Sequence, residues 1–193
     1  MNNNSPISTW HLHITGQVQG VGFRPTVYRI AQDFSLVGHV KNTADGLHVI
    51  FNATKAQAER IKEEICKSSL PSLAIITGNQ FKELPKQEFD SFKIIHESDH
   101  SVPNLILTPD VAICEDCSKE LSDDSDRRSA YAFNSCSQCG PRYSIVTDLP
   151  YDRVNTKMDP FDMCPSCEAE YNSPSDRRYY AQTISCSNCP VGL

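Results

Sequence analysis

The sequence predicts an α+β chain: a ferredoxin-like βαββαβ sandwich over residues 8–96, a linker over 97–109, and a small metal-bound domain over 110–193 with two four-cysteine modules. Three observations predict it. Strand and helix periodicities alternate through the first half. Eight of the nine cysteines fall beyond residue 113, as four Cys-x-x-Cys pairs. Those pairs also repeat with a period of 50 residues, the kind of internal similarity that marks a duplicated unit. A length of 193 residues fits one or two domains.

The elements follow in chain order. Trp10, Leu12 and Ile14 alternate with His11, His13 and Thr15, as in a half-buried strand. Gly16 to Gly22 reads as a glycine-punctuated loop. Val27, Ile30, Ala31 and Phe34 then recur at helical spacing, with Pro25 suited to a first helical turn. Val37 to Asn42 and Leu47 to Phe51 read as strands joined near Asp45-Gly46, a hairpin turn signal. Ala58, Ile61 and Ile65 mark a second helix that ends before Pro71. Leu73 to Thr77 and Phe92 to Ile95 are short strand candidates. In a sandwich of this order both helices lie on one face of an antiparallel sheet, with room for an extra short strand before the last. The stretch from His96 to Pro109, with Ser98-Asp99-His100-Ser101 and two prolines, reads as the linker.

Composition narrows the function classes. Against 18 basic residues stand 24 acidic ones, a formal charge of -6, so nucleic acid is not an expected partner. The polar N-terminus carries no secretory signal and no run reaches a membrane-spanning length, so no membrane is expected and the cytoplasm is the natural location. In a reducing compartment paired cysteines read as metal ligands rather than disulfides.

Cys114, Cys117, Cys136 and Cys139 form Cys-x2-Cys-x18-Cys-x2-Cys, and Cys164, Cys167, Cys186 and Cys189 repeat it. Two such turns supply the four thiolates of a tetrahedral zinc ion and leave no vacancy, which favours two structural Zn²⁺ over catalytic ones. Sequential sharing within each copy is the default, and an interleaved arrangement is the alternative. A redox Cys-x-x-Cys would need a thioredoxin-like βαβ setting, which is missing. Asp126-Arg127-Arg128 recurs as Asp176-Arg177-Arg178 in the same register. It is expected to brace the loops between cysteine pairs; docking a partner or binding phosphate is the other reading. Cys66, on the second helix, reads as a small core residue.

The loop from the first strand into the first helix carries a second kind of chemistry. Glycines at 16, 20 and 22 let successive N–H groups turn into one concavity, and a helix N-terminus adds positive character there. Arg24 can reach back as a two-pronged partner for phosphate oxygens. A tight connection with a surface arginine is the plainer alternative.

Val18-Gln19-Gly20-Val21-Gly22-Phe23-Arg24, with Gly38-His39-Val40-Lys41-Asn42 and Asp45-Gly46, resembles the acylphosphatase signature. Arg24-Pro25 and Tyr28-Arg29 look like the HypF variant of it, as do Cys139-Gly140-Pro141-Arg142-Tyr143, Leu149-Pro150-Tyr151-Asp152-Arg153 and the two zinc motifs. The resemblance runs from about residue 10 to 189. It implies that Gln19, Gly20, Val21, Gly22, Phe23 and Arg24 hold the phosphate of an acyl phosphate, carbamoyl phosphate above all, and that Asn42 orients the attacking water. It implies further a HypF-type carbamoyltransferase that matures [NiFe] hydrogenase, passing a carbamoyl group to a HypE-type partner as the precursor of the cyanide ligands. The chain stops at Leu193, four residues after its last proposed ligand, and has no ATP-binding motif. As given it is therefore expected to hydrolyse an acyl phosphate without performing the ATP-dependent transfer. The competing reading is a non-enzymatic zinc-stabilised fragment that binds partners. A DnaJ-like zinc region is argued against by the missing glycine-rich spacing.

Overall fold

The computed structural model describes residues 6–96 and 102–192. It separates into two compact units. One comprises residues up to Gln19 with Phe23–Ile106; the other comprises Gly20–Gly22 and the chain from Leu107 onward. The division falls within the stretch expected to be a linker, of which residues 97–101 lie outside the described residues. Asn104 N–H donates to Ala44 O at 3.0 Å and Ile106 N–H to Gly16 O at 3.1 Å, so this stretch is held to the first unit.

The first unit is a five-stranded sheet with two helices. Its elements are β1 (Ser8–Gln17), α1 (Phe23–Asp33), β2 (Gly38–Thr43), β3 (Gly46–Ala53), α2 (Lys55–Glu63, prolonged by a π turn over Glu64–Ser68), β4 (Ile75–Leu84) and β5 (Phe92–Ile94). Trp10, Leu12 and Ile14 of β1 are buried, as are Val49 and Phe51 of β3. Val27, Ile30 and Ala31 of α1, which packs on β2 and β5, and Ala58 and Ile61 of α2, which packs on β1 and β3, are also buried. α2 begins where Thr54 and Gln57 exchange side-chain and backbone hydrogen bonds, a capping box that satisfies two orphan donors. Phe34 falls just past the end of α1 and is only half-buried.

Strand order is β4-β1-β3-β2-β5. Four strands pair antiparallel as the sandwich requires; β5 adds a fifth, parallel to β2, through Gly38↔Phe92 and Val40↔Ile94. The sheet is therefore mixed rather than purely antiparallel. β4 is twice the length read from the sequence. Its residues Thr77, Gly78, Asn79, Gln80, Lys82 and Glu83 carry no apolar alternation, because an edge strand held by main-chain pairing to β1 buries little of either face.

The second unit has little regular structure: α3 (Glu115–Ser122) and α4 (Pro165–Asn172), at equivalent places in the two repeats. Its buried residues include five of the paired cysteines, but also Arg128, Arg142, Arg178, Asn134, Ser135, Thr183 and Ser185. Among the described residues no helix is long and apolar enough to cross a membrane.

Candidate functional sites

The paired cysteines gather sequentially, one cluster per repeat: Cys114, Cys117, Cys136 and Cys139, then Cys164, Cys167, Cys186 and Cys189. Cys114 and Cys164 stand at the N-caps of α3 and α4, so Cys117 and Cys167 lie within the first turns. The other pairs sit in tight turns where Gln138 and Asn188 N–H groups donate to the Cys136 and Cys186 sulfurs, each at 3.4 Å. Successive Sγ atoms lie 3.5–3.8 Å apart in both clusters. A tetrahedron with Zn–S bonds of about 2.3 Å has edges of about 3.8 Å, so the four sulfurs of each cluster fit that ion.

The arginines of the repeated Asp-Arg-Arg segment reach across to the opposite cluster. Arg127 donates to Cys167 Sγ at 3.4 and 3.5 Å, while Arg177 donates to Cys117 Sγ at 3.2 Å. Both arginines of each pair also meet a carboxylate one helical turn beyond that cysteine. Arg127 and Arg128 hold Glu170 at 2.6 and 2.5 Å; Arg177 holds Glu120 at 2.5 Å, joined there by Arg178. Arg128 Nε donates to Ser185 O at 3.0 Å and Arg178 Nε to Ser135 O at 3.1 Å. The aspartates act locally, Asp126 and Asp176 each accepting from the N–H two residues on at 2.7 Å. Burial alone would raise the Glu120 carboxyl, but the bonds from Arg178 and Arg177 outweigh it and hold it at about 2. Glu170 is lowered in the same sense, Arg128 and Arg127 overcoming the effect of burial.

Glu120 and Glu170 are residues that the sequence reading missed. The signal was present: each follows a ligand cysteine by three positions on a helix, in register with the 50-residue repeat.

In the first unit, Arg24 and Asn42 come together. Both are buried, 5% and 3% exposed. With the Asn42 amide oxygen turned toward it, Arg24 donates Nε–H at 3.1 Å and Nη2–H at 3.3 Å. Asn42 is positioned by β2, opposite Leu47 of β3. Arg24 is the second residue of α1, whose first N–H groups have no intrahelical acceptor. Gln19, buried, ties the loop to the β2–β3 turn by donating Nε2–H to Thr43 O at 2.6 Å and Gly46 O at 2.9 Å. Gly20 and Gly22 have φ of 71° and 78°, a left-handed backbone that other residues adopt only under strain. Val21 between them and Phe23 after them are buried. Cys66 is half-buried, and burial pushes its thiol up, away from the reactive thiolate.

Residues 10–94 match the acylphosphatase family model, and residues 113–146 and 163–190 match the HypF finger. The carbamoyltransferase HypF of Synechocystis sp. is 42% identical over 155 residues, 80% of this chain and 20% of that protein. An acylphosphatase of Staphylococcus aureus is 34% identical over 86 residues, 44% of this chain and 96% of that one. A crystal structure of full-length HypF superposes with a TM-score of 0.91 at 40% identity, covering 98% of this chain and 25% of that one. The chain thus spans about a fifth of the length of the first HypF relatives it matches. The chain carries an acylphosphatase-like domain followed by the HypF finger and matches the corresponding N-terminal region of HypF in sequence and fold.

Proposed function

We propose that the first unit binds and hydrolyses an acyl phosphate, carbamoyl phosphate being the preferred candidate, and that each cysteine cluster of the second holds one structural Zn²⁺. The observation that carries the first part is the buried Arg24 guanidinium set beside the Asn42 amide. The phosphate would lie at the start of α1, with Arg24 countering its charge. The transferring phosphoryl group is loose and anionic, and an acyl leaving group departs readily, so positioning and charge stabilisation can carry the rate. Asn42 then places a water in line with the bond that breaks, and no base is needed to deprotonate it beforehand. Each four-sulfur set is closed, which suits a structural ion.

Several comparisons support this reading. The acylphosphatase model covers the sandwich, and the full-length HypF structure is described as phosphate- and nucleotide-bound. By the same likeness we place the chain's work in a HypF-type carbamoyltransferase of hydrogenase maturation, with a HypE-type acceptor protein.

The test is phosphate release from carbamoyl phosphate and from benzoyl phosphate. Arg24→Ala is expected to abolish release, and Asn42→Ala to lower kcat by about 10²-fold or more, as for loss of a transition-state donor, with a smaller effect on KM. Wild type no faster than Arg24→Ala removes the enzyme reading and leaves a partner-binding fragment.

A further inference from the structure

The solvent face of the sheet carries a side-chain cluster that shares no residue with the sites above. His13 on β1 and His48 on β3 are register partners, so their rings stand side by side, 4.2 Å between centroids. Asp45, in the turn between β2 and β3, closes the group: Oδ1 lies 3.0 Å from His48 Nε2 and Oδ2 lies 3.5 Å from His13 Nε2. The three side chains bring their ligand atoms within 4.8 Å of one another. They are neither sealed nor loose, with 13%, 16% and 32% of the His13, His48 and Asp45 side chains exposed.

We propose that His13, Asp45 and His48 form a binding site for a divalent first-row transition ion, zinc being the natural probe, with His11 orienting His48 from behind. Two imidazoles and one carboxylate suit zinc and its neighbours better than magnesium or calcium, which take oxygen ligands. Ligand atoms around a tetrahedral zinc lie about 3.3–3.5 Å apart, given bonds of about 2.0–2.1 Å, close to the two carboxylate–imidazole separations of 3.0 and 3.5 Å. The two rings are nearly parallel, 17° apart, so closure on an ion turns one of them, which their partial exposure permits. Three protein ligands leave a fourth position for water or an exchangeable group.

The surroundings match the demands of such a site. His48 Nδ1 lies 2.8 Å from His11 Nε2. With His48 Nε2 on the ion, its Nδ1–H donates to His11 Nε2, the outer partner that fixes ring and tautomer in metal sites. Thr43 Oγ1 donates to Asp45 Oδ1 at 2.6 Å and fixes the carboxylate.

The experiment uses the full, tag-free chain with its cysteine clusters saturated with Zn²⁺. Further Zn²⁺ is titrated by calorimetry and the ions are counted by native mass spectrometry. The wild type is expected to take up one more equivalent, with imidazole NMR signals of His13 and His48 moving together. The His13→Asn/His48→Gln pair should lose that equivalent. Asp45→Asn, which keeps an oxygen for Thr43 and so spares the turn, should weaken it at least tenfold. His11→Ala should keep the stoichiometry and lose about 10–100-fold in affinity. Equal zinc uptake by wild type and the double variant, or uptake unaffected by Asp45→Asn, overturns the proposal.

Discussion

The two units keep water out by different means. The first buries Leu12, Ile14, Leu47, Val49, Phe51 and Ile61, apolar side chains at 0% exposure, between a sheet and two helices. The second buries arginines, serines, threonines and Asn134 alongside its cysteines. Apolar burial yields roughly 25 cal/mol per Å² without partners to match, whereas a buried guanidinium is tolerated only when paired. The first unit therefore stabilises itself by area. The second depends on closed polar networks and on its thiolate clusters, and the reciprocal arginines make each repeat depend on the other.

The largest effect should come from removing metal. Structural zinc supplies about 10–16 kcal/mol in small finger peptides, so chelation should unfold the second unit while leaving the sandwich intact. Amide exchange read unit by unit checks this, together with metal analysis giving two zinc ions per chain at the cysteines. Persistent protection of residues 107–192 after chelation would erase the contrast.

Leu12→Ala probes the opposite side. At a site with 0% exposure it should cost ~2–5 kcal/mol, read in denaturant titration of the first unit, with zinc retention at the clusters unchanged.

Arg128→Met sharpens the contrast between the repeats. It should destabilise the second unit by about 3 kcal/mol, the low end for breaking a buried pair, because Glu170 keeps 21% of its side chain in water. Its signature is crosswise: although Arg128 belongs to the first repeat, zinc should leave the second cluster faster, as followed by a colorimetric chelator. Adding Glu170→Leu should recover much of the loss.

The smallest effect is a pH slope on the first unit. His11 falls from 6.5 to about 4 on folding, so between those values the unfolded chain binds more protons and stability rises with pH. Its contribution is complete above about pH 6.5 and is lost as pH falls toward 4. His11→Asn should flatten that part of a stability–pH profile measured by urea unfolding.

Local periodicity made the buried elements legible. The alternation around Trp10, Leu12 and Ile14 marked β1, and the spacing of Val27, Ile30 and Ala31 marked α1. Where an element buries little, the same reasoning fell short. β4 read as a fragment because its pairing is made by main-chain groups that no side chain reports. The cysteine spacing pointed to the clusters that the fold assembles, but Glu120 and Glu170 passed unnoticed, and nothing in the spacing told which cluster each Asp-Arg-Arg segment serves.

By itself the sequence determined the periodicity of the buried strands and helices and the two repeated four-cysteine motifs. These depend on residue type and short spacing, which the chain carries locally. Only the tertiary structure decided that Arg24 meets Asn42, that the arginines of one repeat serve the cysteines of the other, and that His13, Asp45 and His48 share one face. Each of these joins residues from separate segments, and such a pairing is set by strand register and by the packing of the repeats.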